Sequence, residues 1–251
     1  MSLPEAKPAP GQPEGLEYGR TLSYIFENPN WLMNLLWLFL CWVMANVIPI
    51  LPQIVSTGYQ FEVLNGLLAS QGTRYPDFDI NRFLDYLLRG LWAALAAAIV
   101  FFVWLMFFAA FVVCAVLALV ALGNSGGENA VGMGIAVAVG IGVLMMIVLA
   151  IIATPAMLAA GMTSDLGAGL NLAWIGDFVA KMWLNIVLAF LFWTIVCLAI
   201  IVLTCGLGLL VVFPIASFMA THFYYQFYVL YLARGGRPLP VKGTAIGAVV
   251  A

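Results

Sequence analysis

The sequence predicts an all-α, polytopic membrane protein of six transmembrane helices, arranged as three hairpin repeats that are each preceded by a cytoplasmic interfacial helix. Three observations predict it. The chain is 65% hydrophobic and 8% charged, a surface for which lipid must be the main solvent. Uninterrupted apolar runs from Leu91 to Leu122 and from Val131 to Ala160 suit helical spans, which need about 20 residues, and are too long for barrel strands of roughly 10. A proline followed six places later by a small residue, and soon after by a polar one, recurs three times: Pro52, Gly58 and Glu62; Pro155, Gly161 and Asp165; Pro214, Ala220 and His222.

Residues 1–15 are rich in proline with a few charges and no apolar core, which predicts a disordered tail and not a cleaved signal peptide. Residues 16–26 place Leu22, Ile25 and Phe26 at helical spacing, an interfacial helix that Pro29 ends. The first span is Trp31 to Ile50, with tryptophans near its start, where amphipathic rings favour headgroup level. The second, Leu51 to Ser70, is the least apolar; Gln53, Ser56, Thr57 and Gln60 share one face and are expected to point into the protein, because an amide facing acyl chains stays unpaired.

A polar loop with a Tyr-Pro-Asp turn then leads to a second interfacial helix, where Ile80, Phe83, Leu84, Leu87, Leu88 and Leu91 form a stripe of helical period. The third span follows to Leu122, and Gly123 to Asn129 reads as a turn. The fourth span opens on two small-residue ladders, Gly132, Ala136 and Gly140, and Gly134, Ala138 and Gly142, of the kind that lets helix backbones approach closely in lipid. Leu170 to Met182 is a third interfacial helix, its Asp177 and Lys181 spaced as Asp85 and Arg89 are in the second. Two final spans run from Met182 to Leu232, divided at Thr204 to Gly208. The hairpins therefore occupy 16–70, 79–165 and 168–233 of one membrane domain, 16–233, with a C-terminal tail over 234–251.

All nine lysines and arginines fall in the segments on one side of these spans, and the opposite turns have none. Because basic residues are retained in the cytoplasm, both termini are expected there. The net charge of -2 says little about partners, because in a membrane chain the distribution of charges matters more than their sum, and no nucleic-acid binding is expected. Cys41, Cys114, Cys197 and Cys205 lack the paired spacing of metal or redox motifs and read as reduced packing residues. No catalytic, metal or nucleotide constellation is present, so no cofactor is expected.

Glu62 and Asp165 are the carboxylates nearest the spans, and an ionisable group at membrane depth suggests function, although both sit late in their helices where headgroup water is within reach. His222, the single histidine, has no second ligand and reads as a hydrogen-bonded helix residue. Ser217, Thr221, Tyr224, Tyr225, Tyr228 and Tyr231 form a polar and phenolic stripe in the last span. With the Gln53 to Gln60 face it makes either a path for a polar or amphipathic molecule, or interhelical contacts and an aromatic belt.

GRTLSYIFENPNWLMNLL at Gly19 to Leu36, IPILPQIVSTGY ending at Tyr59, and YPDFD at Tyr75 to Asp79 resemble a prokaryotic membrane family known as domain of unknown function 4013. The resemblance is clearest through Phe83 to Gly90. The family's loop carries a tryptophan between its acidic residues, where this chain has Phe78. It implies a multi-span protein of a bacterial or archaeal cell membrane and no established activity. The expected function is non-enzymatic, a scaffold or accessory subunit in the lipid bilayer bound to a membrane-protein partner or to further copies of itself. The alternative is a transporter or channel for a small or lipid-like solute.

Overall fold

The computed structural model describes residues 15–125, 127–206 and 208–240, with the side chains of 122–131 and 209–211 outside that description. The predicted tail over 1–15 therefore lies almost wholly outside the described residues. Among those described, every regular element is helical. A short helix α1 (Arg20–Ser23) continues as a 3-10 turn (Tyr24–Glu27). Then come α2 (Trp31–Met44), α3 (Leu51–Ala69), α4 (Phe83–Ser125) behind a 3-10 turn (Ile80–Arg82), α5 (Gly127–Thr163), the single turn α6 (Leu166–Gly169), α7 (Leu172–Leu203) and α8 (Leu209–Ala233).

Three stretches are long and apolar enough to cross a membrane by length and composition: Ile80–Ala121, Gly132–Thr163 and Leu172–Leu203. The apolar helix Trp31–Met44 is shorter, and α3 and α8 carry Gln53, Gln60, Gln226, His222 and the buried Tyr59, Tyr228 and Tyr231. The second and third interfacial helices are not separate elements, because α4 and α7 run unbroken from these segments into the apolar stretches. Neither junction holds a proline, and a helix with no break in its hydrogen bonding propagates. Ahead of α2, Asn28 precedes Pro29 and is extended (φ -79°, ψ 129°), because a residue before proline is pushed out of the α region; the helix restarts at Trp31. Likewise α4 reaches Ser125 and α5 begins at Gly127, so 123–125 and 127–129, expected in a turn, are helical.

Helix α3 sits at the centre, packed on α4, α8, α2 and α5. Its closest neighbour is α4. A Cβ added at Gly58 would lie 1.8 Å from the carbonyl oxygen of Tyr86, and one at Gly90 would lie 1.9 Å from that of Ile54. The two backbones touch there, as small residues permit. One hydrophobic cluster joins Phe61 and Leu64 of α3 to Phe178, Met182 and Ile186 of α7 and Phe223 and Phe227 of α8. A second joins Tyr24, Leu38, Tyr59, Tyr86 and Phe218 around the 70–79 loop. Helices α3, α5, α7 and α8 close a ring in which each packs on its two neighbours.

Of the two ladders on α5, Gly134 and Ala138 face Phe111, Ala115 and Ala118 of α4 across an apolar cleft of about 340 Å³. The ladder Gly132, Ala136 and Gly140 is exposed, and a Cβ at Gly132, Gly140 or Gly142 would meet nothing within 4 Å. Contact of glycine with a facing backbone carbonyl is found where α3 crosses α4.

Candidate functional site

The segment before α2 and the loop after α3 interlock through asparagine. Asp77 accepts from Asn30 Nδ2 at 2.6 Å and from Asn34 Nδ2 at 3.0 Å, while Asn34 Oδ1 receives the Phe78 N–H at 2.9 Å. Asn28 Nδ2 donates to the Tyr75 carbonyl, the Tyr75 hydroxyl to that of Ile25, and the Tyr59 hydroxyl to that of Pro76. Partial burial disfavours the Asp77 carboxylate, and the amide donors Asn34, Asn30 and Asn28 outweigh it, so its carboxyl titrates below the ordinary value. Phe78 stacks on Trp37, centroids 5.1 Å apart, and edges against Tyr59.

The ionisable candidates are held apart, each with its own partners. Glu62, 8% exposed, pairs with Arg82, and Arg89 Nη1 lies 3.5 Å from its other oxygen. Asp165 is exposed and caps α6, accepting from the Gly167 N–H at 3.0 Å. His222 is buried under the Tyr24 ring, 4.4 Å between centroids. Its Nδ1 accepts from Gln226 Nε2 at 2.8 Å, and the same amide donates to the Glu17 carbonyl while its oxygen receives the Glu17 N–H. A ring nitrogen that accepts leaves His222 neutral.

The hydroxyls of α8 divide into two groups. Thr221 donates to the Ser217 carbonyl. Tyr228 receives the N–H of Leu239, and Tyr231 receives that of Arg237 and donates to Asp177 at 2.7 Å, so these two fasten the 234–240 segment. Lys181 Nζ also donates to both Asp177 oxygens, at 2.6 and 2.8 Å. Tyr225 is half-buried beside His222.

Tyr224 differs, since it stacks on Phe61 and its hydroxyl points to Met157 Sδ, 3.9 Å away, bridging α8 to α5. Next to this contact, toward the α2–α3 and α7–α8 turns, the four-residue face of α3 is not the buried seam that was expected. Ser56 is buried and bonds within its own helix to the Gln53 carbonyl. Gln53 is exposed, Thr57 and Gln60 are half-buried, and their side chains bond to no other described residue. The reason is geometric: α5 and α8 pack on α3 and α7 more than on each other, so they leave this face open.

Elsewhere an apolar groove of about 210 Å³ lies between α2, α3 and the start of α4, lined by Trp37, Cys41, Val55, Phe78 and Phe83 among others. No group of three or more His, Cys, Asp or Glu that could hold a metal occurs among the described residues. Sequence reasoning missed the convergence of Asn28, Asn30 and Asn34 on the loop, although all three stand in the segment that carries the family resemblance. It also missed Gln226, Gly90 and the arginine partners of Glu62, whose spacing from Glu62 shows no helical period.

The profile of a protein family of unknown function, described as DUF4013, matches residues 41–213. No curated protein and no solved structure matches the chain.

Proposed function

The chain belongs to the family described as protein of unknown function (DUF4013), and we propose that it is a non-enzymatic integral membrane protein of six spans that works by association. In this reading it lies in a prokaryotic cell membrane with both termini in the cytoplasm, as a scaffold or accessory subunit. The observation that carries it is how the ionisable residues are used. Glu62 is neutralised by arginines, Asp165 caps a helix turn and His222 is locked between Gln226 and Tyr24, so these three groups do not face one another as acid and base across a reaction site. Meanwhile the ladder Gly132, Ala136 and Gly140 faces outward uncovered. In lipid, where apolar side chains gain nothing by leaving solvent, such a small-residue face is a surface for close helix contact.

The test is association in the membrane. Cross-linking through a cysteine at Ala136 should trap a second chain, and Gly140→Leu should abolish the product while the melting temperature of the purified chain stays unchanged. Equal cross-linking in Gly140→Leu, or a purely monomeric wild type, would remove this reading. A solute-handling role is the second reading, and the open face of α3 favours it.

A further inference from the structure

We infer that the ring of α3, α5, α7 and α8 holds, on the side of the α2–α3 and α7–α8 turns, a binding site for an uncharged hydroxyl-bearing group. The site begins at a floor. Phe61 of α3 and Tyr224 of α8 stack, Tyr224 reaches Met157 of α5, and Phe61 fills the space left by the missing side chain of Gly161. Below that floor Leu64 of α3 and Phe178 and Met182 of α7 are fully buried, so the ring is closed toward the 70–79 loop.

Above the floor the same helix faces become polar and open. On α3, Gln53, Thr57 and Gln60 recur at i, i+4 and i+7 and lie on the side of the helix that holds Leu64, one to three turns further out. Thr154 of α5 stands three residues from Met157 and seven from Gly161, which puts its half-buried hydroxyl on the face that meets Phe61 and Tyr224. Ser217 of α8 stands seven residues from Tyr224 and is 9% exposed. None of these five side chains hydrogen-bonds to another described residue. Elsewhere in the fold nearly every buried polar side chain has a partner, Asn65 Oδ1 being the exception among described atoms. Unpaired amides and hydroxyls at membrane depth cost several kcal/mol each if they face acyl chains. A polar occupant removes that cost.

The lining selects the occupant. Two amides and three hydroxyls each offer donors and acceptors, the arrangement that pairs with hydroxyl groups, which do both. The lining named here contains no side chain that is charged at neutral pH, and Glu62, next along α3, is already paired with Arg82 and Arg89 of α4. A charged ligand would leave its charge uncompensated in low dielectric. Met157, Phe61 and Tyr224 supply apolar surface beside the polar groups. A neutral glycerolipid and a free polyol share this chemistry, and experiment separates them.

The full chain is placed in phosphatidylcholine vesicles with its four native cysteines replaced by alanine and a single cysteine introduced by Thr154→Cys. A water-soluble maleimide should label it, and a bound ligand should slow labelling in proportion to the unoccupied fraction, about tenfold at nine times its Kd. Protection by monoolein and not by glycerol identifies a lipid; protection by glycerol identifies a soluble polyol. Gln60→Leu should restore the unprotected rate. If the cysteine-free chain does not fold, thermal stabilisation of the native chain by either probe, lost in Gln60→Leu, reads the same site. Absence of labelling, labelling indifferent to both probes, or stabilisation that survives Gln60→Leu overturns the inference. Association through α5 is read by cross-linking at Ala136, so either proposal can fail alone.

Discussion

Asp77 is a loop carboxylate whose two oxygens are claimed by asparagine amides on the neighbouring segment, so its charge becomes a structural link between α2 and the 70–79 loop. Its carboxyl titrates lower folded than unfolded. A group with a depressed folded value contributes stability that is present above the unfolded pKa, near 4 for aspartate, and is lost as pH falls through the folded value. Unfolding in detergent should therefore become easier on acidification below about pH 4, and Asp77→Asn should lose that part of the acid sensitivity. At neutral pH the substitution should cost about 1 kcal/mol, since the side chain is exposed and water replaces part of what the amides supply. Equal acid dependence in wild type and Asp77→Asn would count against the link. The asparagines were visible in the sequence as part of a family signature, but their target was not. Asn34 and Asp77 are far apart in the chain, and only the return of α3 between them brings them into hydrogen-bond range.

Among the elements, α3 and α4 make the contact with the least tolerance. At Gly58 and Gly90 the opposing atoms are carbonyl oxygens, which cannot rotate away as a side chain can. Gly90→Ala should destabilise the fold by about 3 kcal/mol or more, at or beyond the upper range for overpacking, because the helices must separate. Gly142→Ala is the control, since a Cβ there meets nothing within 4 Å. Thermal unfolding in detergent distinguishes them, and a Gly90→Ala midpoint equal to wild type would show that the crossing yields. Sequence periodicity pointed to the α5 ladders because they repeat every four residues. Gly58 has no small residue four places away in α3, so nothing periodic marks its half of the crossing, although Gly90, Ala94 and Ala98 do repeat every four residues in α4. The unbroken course of α4 also escaped sequence reading, because an interfacial stripe followed by an apolar run looks the same whether or not a bend separates them.

At the scale of the whole molecule, α4 is 43 residues long, about 64 Å at 1.5 Å per residue, and its two ends cannot both lie on one face of a hydrocarbon layer of about 30 Å if it crosses without re-entering. Ser125 at its end and Ser70 before its start therefore report on opposite sides. A single cysteine at Ser125 should react with an impermeant thiol reagent added from outside intact cells, and one at Ser70 should not. The reverse pattern would invert the proposed topology, and labelling at both would break it. The family profile over residues 41–213 takes in the 70–79 loop and both helices of the α3–α4 crossing, so these features lie inside the matched region.

The sequence by itself determined the helical class, the lipid-compatible composition and the family, because these follow from the count and period of apolar side chains and from short contiguous motifs. It also showed which polar residues stand on one helical face. Whether that face is covered was decided only by tertiary packing. Helical period fixes the direction of Gln53, Thr57 and Gln60 relative to their own axis, and says nothing of which neighbour stands opposite. In the fold α5 and α8 spread around α3, close over Phe61 and Leu64, and leave the polar turns open. The same packing brought Arg82 and Arg89 to Glu62 and supplied Gln226 as the partner of His222, whose hydrogen bonding the sequence suggested without naming the residue that provides it.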